Sequence, residues 1–217
     1  MTSRTPTWGR PGGAPAGRRR EPGPDELRLF VALPLPADAA DRLREALIPL
    51  RERFSGPRWL MDETFHVTLL FLGPTLESRI GSVREAVDAA AARVPSFEAR
   101  TAAGGGRTGQ PRQGGLGVAW LNLDRGASEA ARLAIDLGER LGTGVSWPAK
   151  GHAAHITVAR RASGELVRAL AEPDAVAPVT WHADRIVLFS SRLGSGGARY
   201  ESVHVAPLTG EAEAHRA

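Results

Sequence analysis

Apolar runs of strand length, helical stripes and Gly/Pro punctuation divide the chain into short elements. Leu27 to Leu33 is apolar except for Arg28 and reads as a strand closed by Pro34 and Pro36. Leu43, Leu47, Leu50 and Phe54 then recur at the spacing of one helix face, with Pro49 placed to kink or end that helix. Gly56-Pro57 marks a turn, Arg58-Trp59-Leu60 leads out of it, and Phe65 to Leu72 is the next strand. After Gly73-Pro74, Thr75 is placed to cap a helix striped by Leu76, Ile80, Val83, Val87 and Val94. Ser96 to Ala102 reads as a strand, and Gly104 to Gly117 as a loop. The outline then repeats. Leu116 to Leu123 is a strand, and Ser128 caps a helix carrying Leu133, Leu137 and Leu141 that stops at Gly142. A strand surrounds His155, and a short helix covers Glu165 to Leu170. Thr180 to Ser190 and Tyr200 to Ala206 form a hairpin through Gly194-Ser195-Gly196-Gly197.

Two of these strands break the apolar pattern in the same way. Phe65-His66-Val67-Thr68-Leu69 sets His66 and Thr68 on one face, and Ala154-His155-Ile156-Thr157-Val158 does the same with His155 and Thr157. The 6 histidines of the 217-residue chain predict roughly 0.3 His-x-Thr matches by chance. A lone strand histidine is ordinarily satisfied by a backbone carbonyl, but that role has no reason to recur with its threonine. Strand, helix and histidine strand therefore occur twice, which predicts two related α+β lobes whose histidine strands line one central groove. Two imidazoles facing a groove supply a general acid and a general base near neutral pH. Two threonine hydroxyls beside them supply donors for the oxygens of a bound anion. The combination suits hydrolysis of a phosphodiester.

Composition narrows the setting. The chain has no cysteine, which excludes disulfides, thiolate chemistry and a Cys-based zinc site. No apolar run approaches the ~20 residues that span a bilayer, and no secretory core follows the N-terminus; the expected location is cytoplasmic. The net charge of +4 invites a nucleic-acid reading, but five arginines lie in the first 20 residues; without them 23 basic residues face 24 acidic ones. The body is close to neutral, so bulk charge does not establish RNA binding. Residues 1–26, rich in Gly, Pro and Arg, are expected to be a disordered tail, 27–210 one catalytic domain with interleaved lobes, and 211–217 a second tail. Gly104, Gly106 and Gly109 spell a dinucleotide fingerprint, yet Gln110-Pro111-Arg112 cannot open the helix it requires, so no nucleotide-cofactor fold is expected. Arg107 and Arg112 offer at most a weak RNA contact from this loop.

The paired His66-Val67-Thr68-Leu69 and His155-Ile156-Thr157-Val158 resemble the signatures of the two-histidine phosphoesterase superfamily, and within it the RNA 2′,3′-cyclic phosphodiesterases, also called 2′-5′ RNA ligase-like. Arg58-Trp59, Phe71-Leu72-Gly73, Ala159-Arg160, Ser191-Arg192-Leu193-Gly194 and Gly197-Ala198-Arg199-Tyr200 agree with it, and the resemblance covers about residues 27–208. It implies two antiparallel sheets with outer helices facing each other, and metal-independent opening of RNA 2′,3′-cyclic phosphate ends to 2′-phosphomonoesters. It also implies His66 as proton donor, His155 as proton acceptor, and Thr68, Thr157 and Arg160 as substrate-binding residues. The motifs themselves are near copies and do not choose between acid and base. Strict alternation from His155 points Arg160 to the wrong face, so its role needs a twist or strand end near Ala159. Ala154 stands where the family commonly has proline. No cofactor, metal or membrane is expected, and a monomer acting on RNA with a cyclic phosphate end is. His152 and His204 raise a metal site only weakly, since no acidic residue completes the spacing. Trp59 and Tyr200 are candidates to stack on a base, and equally for the core. A 2′-5′ ligase or phosphodiesterase, a hydrolase of another small cyclic phosphate, and a module that binds RNA ends without turnover remain as alternatives.

Overall fold

The computed structural model describes residues 22–60, 64–107, 117–142, 154–194 and 197–211. In chain order the elements are β1 (Glu26–Pro34), α1 (Ala37–Ala46), α2 (Ile48–Arg53), β2 (Arg58–Trp59), β3 (His66–Leu76) and α3 (Ile80–Ala91). They continue with β4 (Phe97–Arg107), β5 (Gly117–Arg125), α4 (Ala127–Leu141), β6 (His155–Ala162), α5 (Gly164–Ala171), β7 (Thr180–Ala183), β8 (Arg185–Gly194) and β9 (Gly197–Pro207). The strands hydrogen-bond in the order β7-β4-β5-β6-β3-β1-β8-β9, with β2 against β6, and every pairing is antiparallel.

The predicted duplication is visible in that order. Outward from the centre, one half reads β6-β5-β4-β7 and the other β3-β1-β8-β9. The histidine strands β3 and β6 are innermost and meet through the pair Val67↔Ile156. Both residues are fully buried, and their side chains join the core with Leu33, Leu121, Leu133 and Leu137. Helices α3 and α4 pack on each other and on the core face of the sheet, and α5 covers β4 and β5. The opposite face around the histidine strands is the groove.

Several expected boundaries move, each for a local reason. Pro49 does break the first helical stretch: α1 ends at Ala46, and α2 restarts with the proline in its first turn, where a missing N–H costs nothing. Thr75 caps no helix; β3 runs on to Leu76, and Thr75 Oγ1 donates to the Gly73 carbonyl at 3.1 Å. A 3-10 turn at Glu77–Arg79 then precedes α3, leaving Leu76 exposed rather than in the stripe. Ser128 lies inside α4, whose N-cap is Gly126 at φ 79. Ser163, not anticipated, caps α5 by accepting from Leu166 N–H at 3.2 Å. The expected strand Thr180–Ser190 is two strands, β7 pairing with β4 and β8 with β1 in the other half.

The glycine loop is in part a strand. Gly104, Gly105 and Gly106 belong to β4 and pair with Leu121, Trp120 and Ala119. A Cβ on Gly104 would stand 2.5 Å from the Trp120 carbonyl oxygen and 3.1 Å from Leu170 Cβ of α5. Glycine here lets strand and helix close on each other. Of the expected tail 1–26, residues 22–26 are part of the fold: Glu77 N–H donates to the Asp25 carbonyl, and Glu26 opens β1. The rest of that tail, Arg112, His152 and the expected tail beyond Glu211 lie outside the described residues.

Candidate active site

The pair Val67↔Ile156 fixes what the two motifs do to each other. In antiparallel register it sets His66 beside Thr157 and Thr68 beside His155. The two central residues point into the core, so all four polar side chains point to the groove, each partly exposed. Thr68 therefore stands near its own histidine and near the other one.

His66 is the better defined of the pair. Its Nδ1 lies 2.6 Å from the Thr64 carbonyl oxygen, which can only accept, so Nδ1 carries the proton. In the neutral ring Nε2 is then bare, and it accepts from the Thr68 hydroxyl at 3.1 Å. Phe30 and Tyr200 enclose the imidazole at centroid distances of 5.1 and 5.4 Å, and Phe189 stacks behind Phe30 at 5.3 Å. This burial pushes the imidazole pKa down to about 4, opposed by the Thr64 hydrogen bond and helped by the charges of Arg160 and His155. His155 has a different neighbour: the Trp120 indole at 5.2 Å, whose Nε1 donates to Asn122 Oδ1.

Arg160 reaches the groove face through a bulge. On β5, Asn122 pairs with His155 and Trp120 with Thr157, but the next residue, Ala119, pairs with Ala159, which leaves Val158 as an extra residue on β6. Val158 and Ala159 are buried in succession, alternation restarts, and Arg160 opposite Val118 shares the side of Thr157. Its electrostatic effect on His66 follows from that placement. The same device occurs on β3, where Thr68 pairs with Ala32 and Leu70 with Val31, so that Leu69 is extra. The residue five after the first histidine is then Phe71, on which the Arg28 guanidinium stacks at 4.9 Å.

The structure thus brings His66, Thr68, His155, Thr157 and Arg160 to one face. Trp59 is not among them: it pairs with buried Ala159, its Nε1 donates to the Phe54 carbonyl, and Arg51 lies over its ring. His204 is on the helix side, hydrogen-bonded to Asp88 of α3 at 2.6 Å, and among the described residues no ligand set includes it. Tyr200 does line the groove. Phe30 and Trp120 were missed, although Trp120 and Asn122 alternate with Ala119, Leu121 and Leu123 as a groove-facing pair would.

A model of the 2′-5′ RNA ligase superfamily matches residues 33–194. The chain belongs to that superfamily. Curated relatives similar to it include an RNA 2′,3′-cyclic phosphodiesterase of Geobacillus stearothermophilus, 30% identical over 200 residues that cover 83% of this chain and 57% of that protein. The chain therefore spans little more than half the length of that relative. Another, of the same description, is from Thermotoga maritima and is 28% identical over 188 residues, 85% of this chain and 97% of that one. Among solved structures, a protein of Thermus thermophilus superposes with a TM-score of 0.68 at 28% identity over 86% of this chain and all of that chain. Escherichia coli LigT crystallised with 3′-AMP gives a TM-score of 0.66 at 23% identity, covering 85% and 99%, and so bears on the fold alone.

Proposed function

We propose that the groove hydrolyses the 2′,3′-cyclic phosphate at an RNA end to a 2′-phosphomonoester, with no metal required and residues 27–210 forming the catalytic domain. The observation that carries this is the antiparallel junction of the two His-x-Thr strands, which converges two imidazoles and two hydroxyls on one place. Phosphodiester opening needs a base on one side of phosphorus and an acid on the other. His155 takes the proton of the attacking water as its oxygen bonds to phosphorus. The bond from phosphorus to the 3′ oxygen breaks, and His66 delivers a proton to that oxygen, leaving the phosphate on the 2′ position. Thr68 and Thr157 hold the non-bridging oxygens, and Arg160 offsets the charge that develops on them. The relatives' description as RNA 2′,3′-cyclic phosphodiesterases supports the substrate class, and a cytoplasmic location accompanies it.

A short RNA with a 2′,3′-cyclic phosphate, incubated with excess chelator, tests this reading. Wild type should release the 2′-phosphate, and His66→Ala and His155→Ala should each lose on the order of 10²- to 10⁴-fold in rate. Activity abolished by the chelator, a 3′-phosphate product, or near-normal turnover by either variant would count against it.

A further inference from the structure

The two histidines are not walled alike. His66 has Phe30 and Tyr200 around it, whereas among the described residues one aromatic ring touches His155, the Trp120 indole at 5.2 Å and inclined by 44°. That indole stands on an open part of the sheet. On its far side from His155, β4 presents Gly105, which pairs with Trp120 and carries no side chain to pack against it. A Cβ on Gly105 would stand 3.8 Å from the indole Nε1, an ordinary contact distance, so a methyl group has room there.

Asn122 holds the indole instead. It lies two residues along β5 from Trp120, on the same face, and pairs across the sheet with His155. Its Oδ1 accepts from the indole Nε1–H at 3.1 Å, and its Nδ2 donates to the Ala103 carbonyl at 3.0 Å. β4 is bulged at this point: Thr101 pairs with Leu123 and Gly104 with Leu121, so Ala102 and Ala103 both lie opposite Asn122. The side-chain amide thus spans a place where the regular ladder is broken. Its two partners also fix which way it faces, since an indole N–H can only donate and a carbonyl can only accept. A flipped amide would satisfy neither.

We propose that Asn122 is a positioning residue for the reaction: by tying the indole to the bulged strand β4, it keeps Trp120 against the His155 imidazole and so keeps that imidazole turned to the reacting phosphate. This rests on the phosphodiesterase reading of the groove. Asn122 touches no reacting atom and acts through Trp120. Released from Asn122, the indole can turn over Gly105, and the imidazole gains the same freedom. A general base displaced by about 1 Å loses on the order of 10²-fold in rate, so a partial loosening is felt in the chemical step.

Kinetics on an RNA ending in a 2′,3′-cyclic phosphate test this. Asn122→Ala should lower kcat about 10-fold and leave KM within roughly twofold, because the substrate phosphate is held by other residues. Trp120→Phe, which keeps a ring but offers Asn122 no N–H, should lower kcat in the same way. The double variant should be no slower than the slower single one, since both break one link. Gly105→Ala fills the space on β4 and should restore part of the kcat that Asn122→Ala loses, a rescue that a merely structural Asn122 would not show. Additive losses, a raised KM with kcat intact, or no rescue by Gly105→Ala would overturn the role while leaving the reaction standing. If wild type opens no cyclic phosphate, the functional reading fails instead, and NMR judges the positioning. Nuclear Overhauser contacts between the indole and the His155 ring that vanish in Asn122→Ala and return with Gly105→Ala uphold it; contacts that persist in Asn122→Ala remove it.

Discussion

His66 is asked to be two things at once. Held at a pKa of about 4, it is neutral near pH 7, with Nδ1–H committed to Thr64 and a bare Nε2 facing Thr68, yet the proposed donor role requires it to carry a proton on that Nε2. The missing charge must come with the substrate: a phosphate between the strands favours the protonated ring, against the burial that depresses it. NMR titration of His66 should therefore show its pKa rising by more than one unit when inorganic phosphate binds. A pKa that stays near 4 would move the donor role to His155. The same depression has a cost for stability, with a definite sign. Above pH 6.5 folded and unfolded chains both leave His66 neutral. Between 6.5 and about 4 the unfolded chain binds a proton that the folded one does not, so stability falls as pH falls, by up to ~3 kcal/mol. Urea unfolding at pH 7 and pH 4 should show a smaller acid loss in His66→Gln than in wild type; equal losses would mean the ring is not held neutral. At this scale the sequence was most legible where residue type and alternation together sufficed: both His-x-Thr pairs face the groove as their spacing requires. The cage around His66 was not legible, because Phe30 and Tyr200 come from strands far apart in the chain and Phe30 reads as one more apolar strand residue.

Between residue and fold, the two bulges matter most. Alternation carried strictly along β6 turns Arg160 away from His155; one extra residue at Val158 turns it back, and Leu69 does the same on β3. A bulge has no signature in a run of aliphatic residues, so period-two reasoning fails at Arg160, where the proposed mechanism needs it. Glycine misleads in the other direction. Gly104 to Gly106 read as part of a loop and are instead a strand pressed between β5 and α5, since what they accommodate is a backbone oxygen and a helix side chain contributed by later parts of the chain. Gly104→Ala should destabilise by roughly 1–3 kcal/mol and displace Trp120 from His155, measured as a lowered urea midpoint with altered tryptophan fluorescence. A neutral effect would show that β4 can retreat freely. Helix ends show the same limit: Thr75 and Ser128 have the right chemistry for caps, but strand pairing and Gly126 claim those positions first.

Taken whole, the molecule is two copies of one arrangement joined at a narrow place. The predicted lobes and their shared groove are present, but among the described residues the hydrogen-bonded link between β3 and β6 is a single residue pair, and the four polar side chains flank it. Changes at that joint should disturb geometry more than their energetic cost suggests. Ile156→Ala and Leu137→Ala each remove a fully buried side chain and should cost about 2–5 kcal/mol. With both variants assayed well below their unfolding transitions, Ile156→Ala should lower kcat far more than Leu137→Ala. Similar kcat values would mean that the joint tolerates looseness. Repetition of strand, helix and histidine strand revealed the duplication. How the copies interleave was hidden, because the split of the Thr180–Ser190 segment at Asp184, which sends β7 to one half and β8 to the other, is decided by partners far away in the sequence.

That interleaving has a consequence for how the protein comes into being. The half containing His155 is one unbroken run of chain, 97–183, completed apart from the short edge strand β2 by its own residues. The half containing His66 begins before that run and ends after it, and Tyr200, which closes the ring around His66, lies on β9, the last strand. On a ribosome the surroundings of the two histidines are thus synthesised at different times: Trp120, the neighbour of His155, precedes Tyr200, the wall of His66, by most of the second half of the chain. Chain order therefore puts Trp120 and His155 ahead of β9, and the aromatic wall of His66 is complete only once that strand has been made.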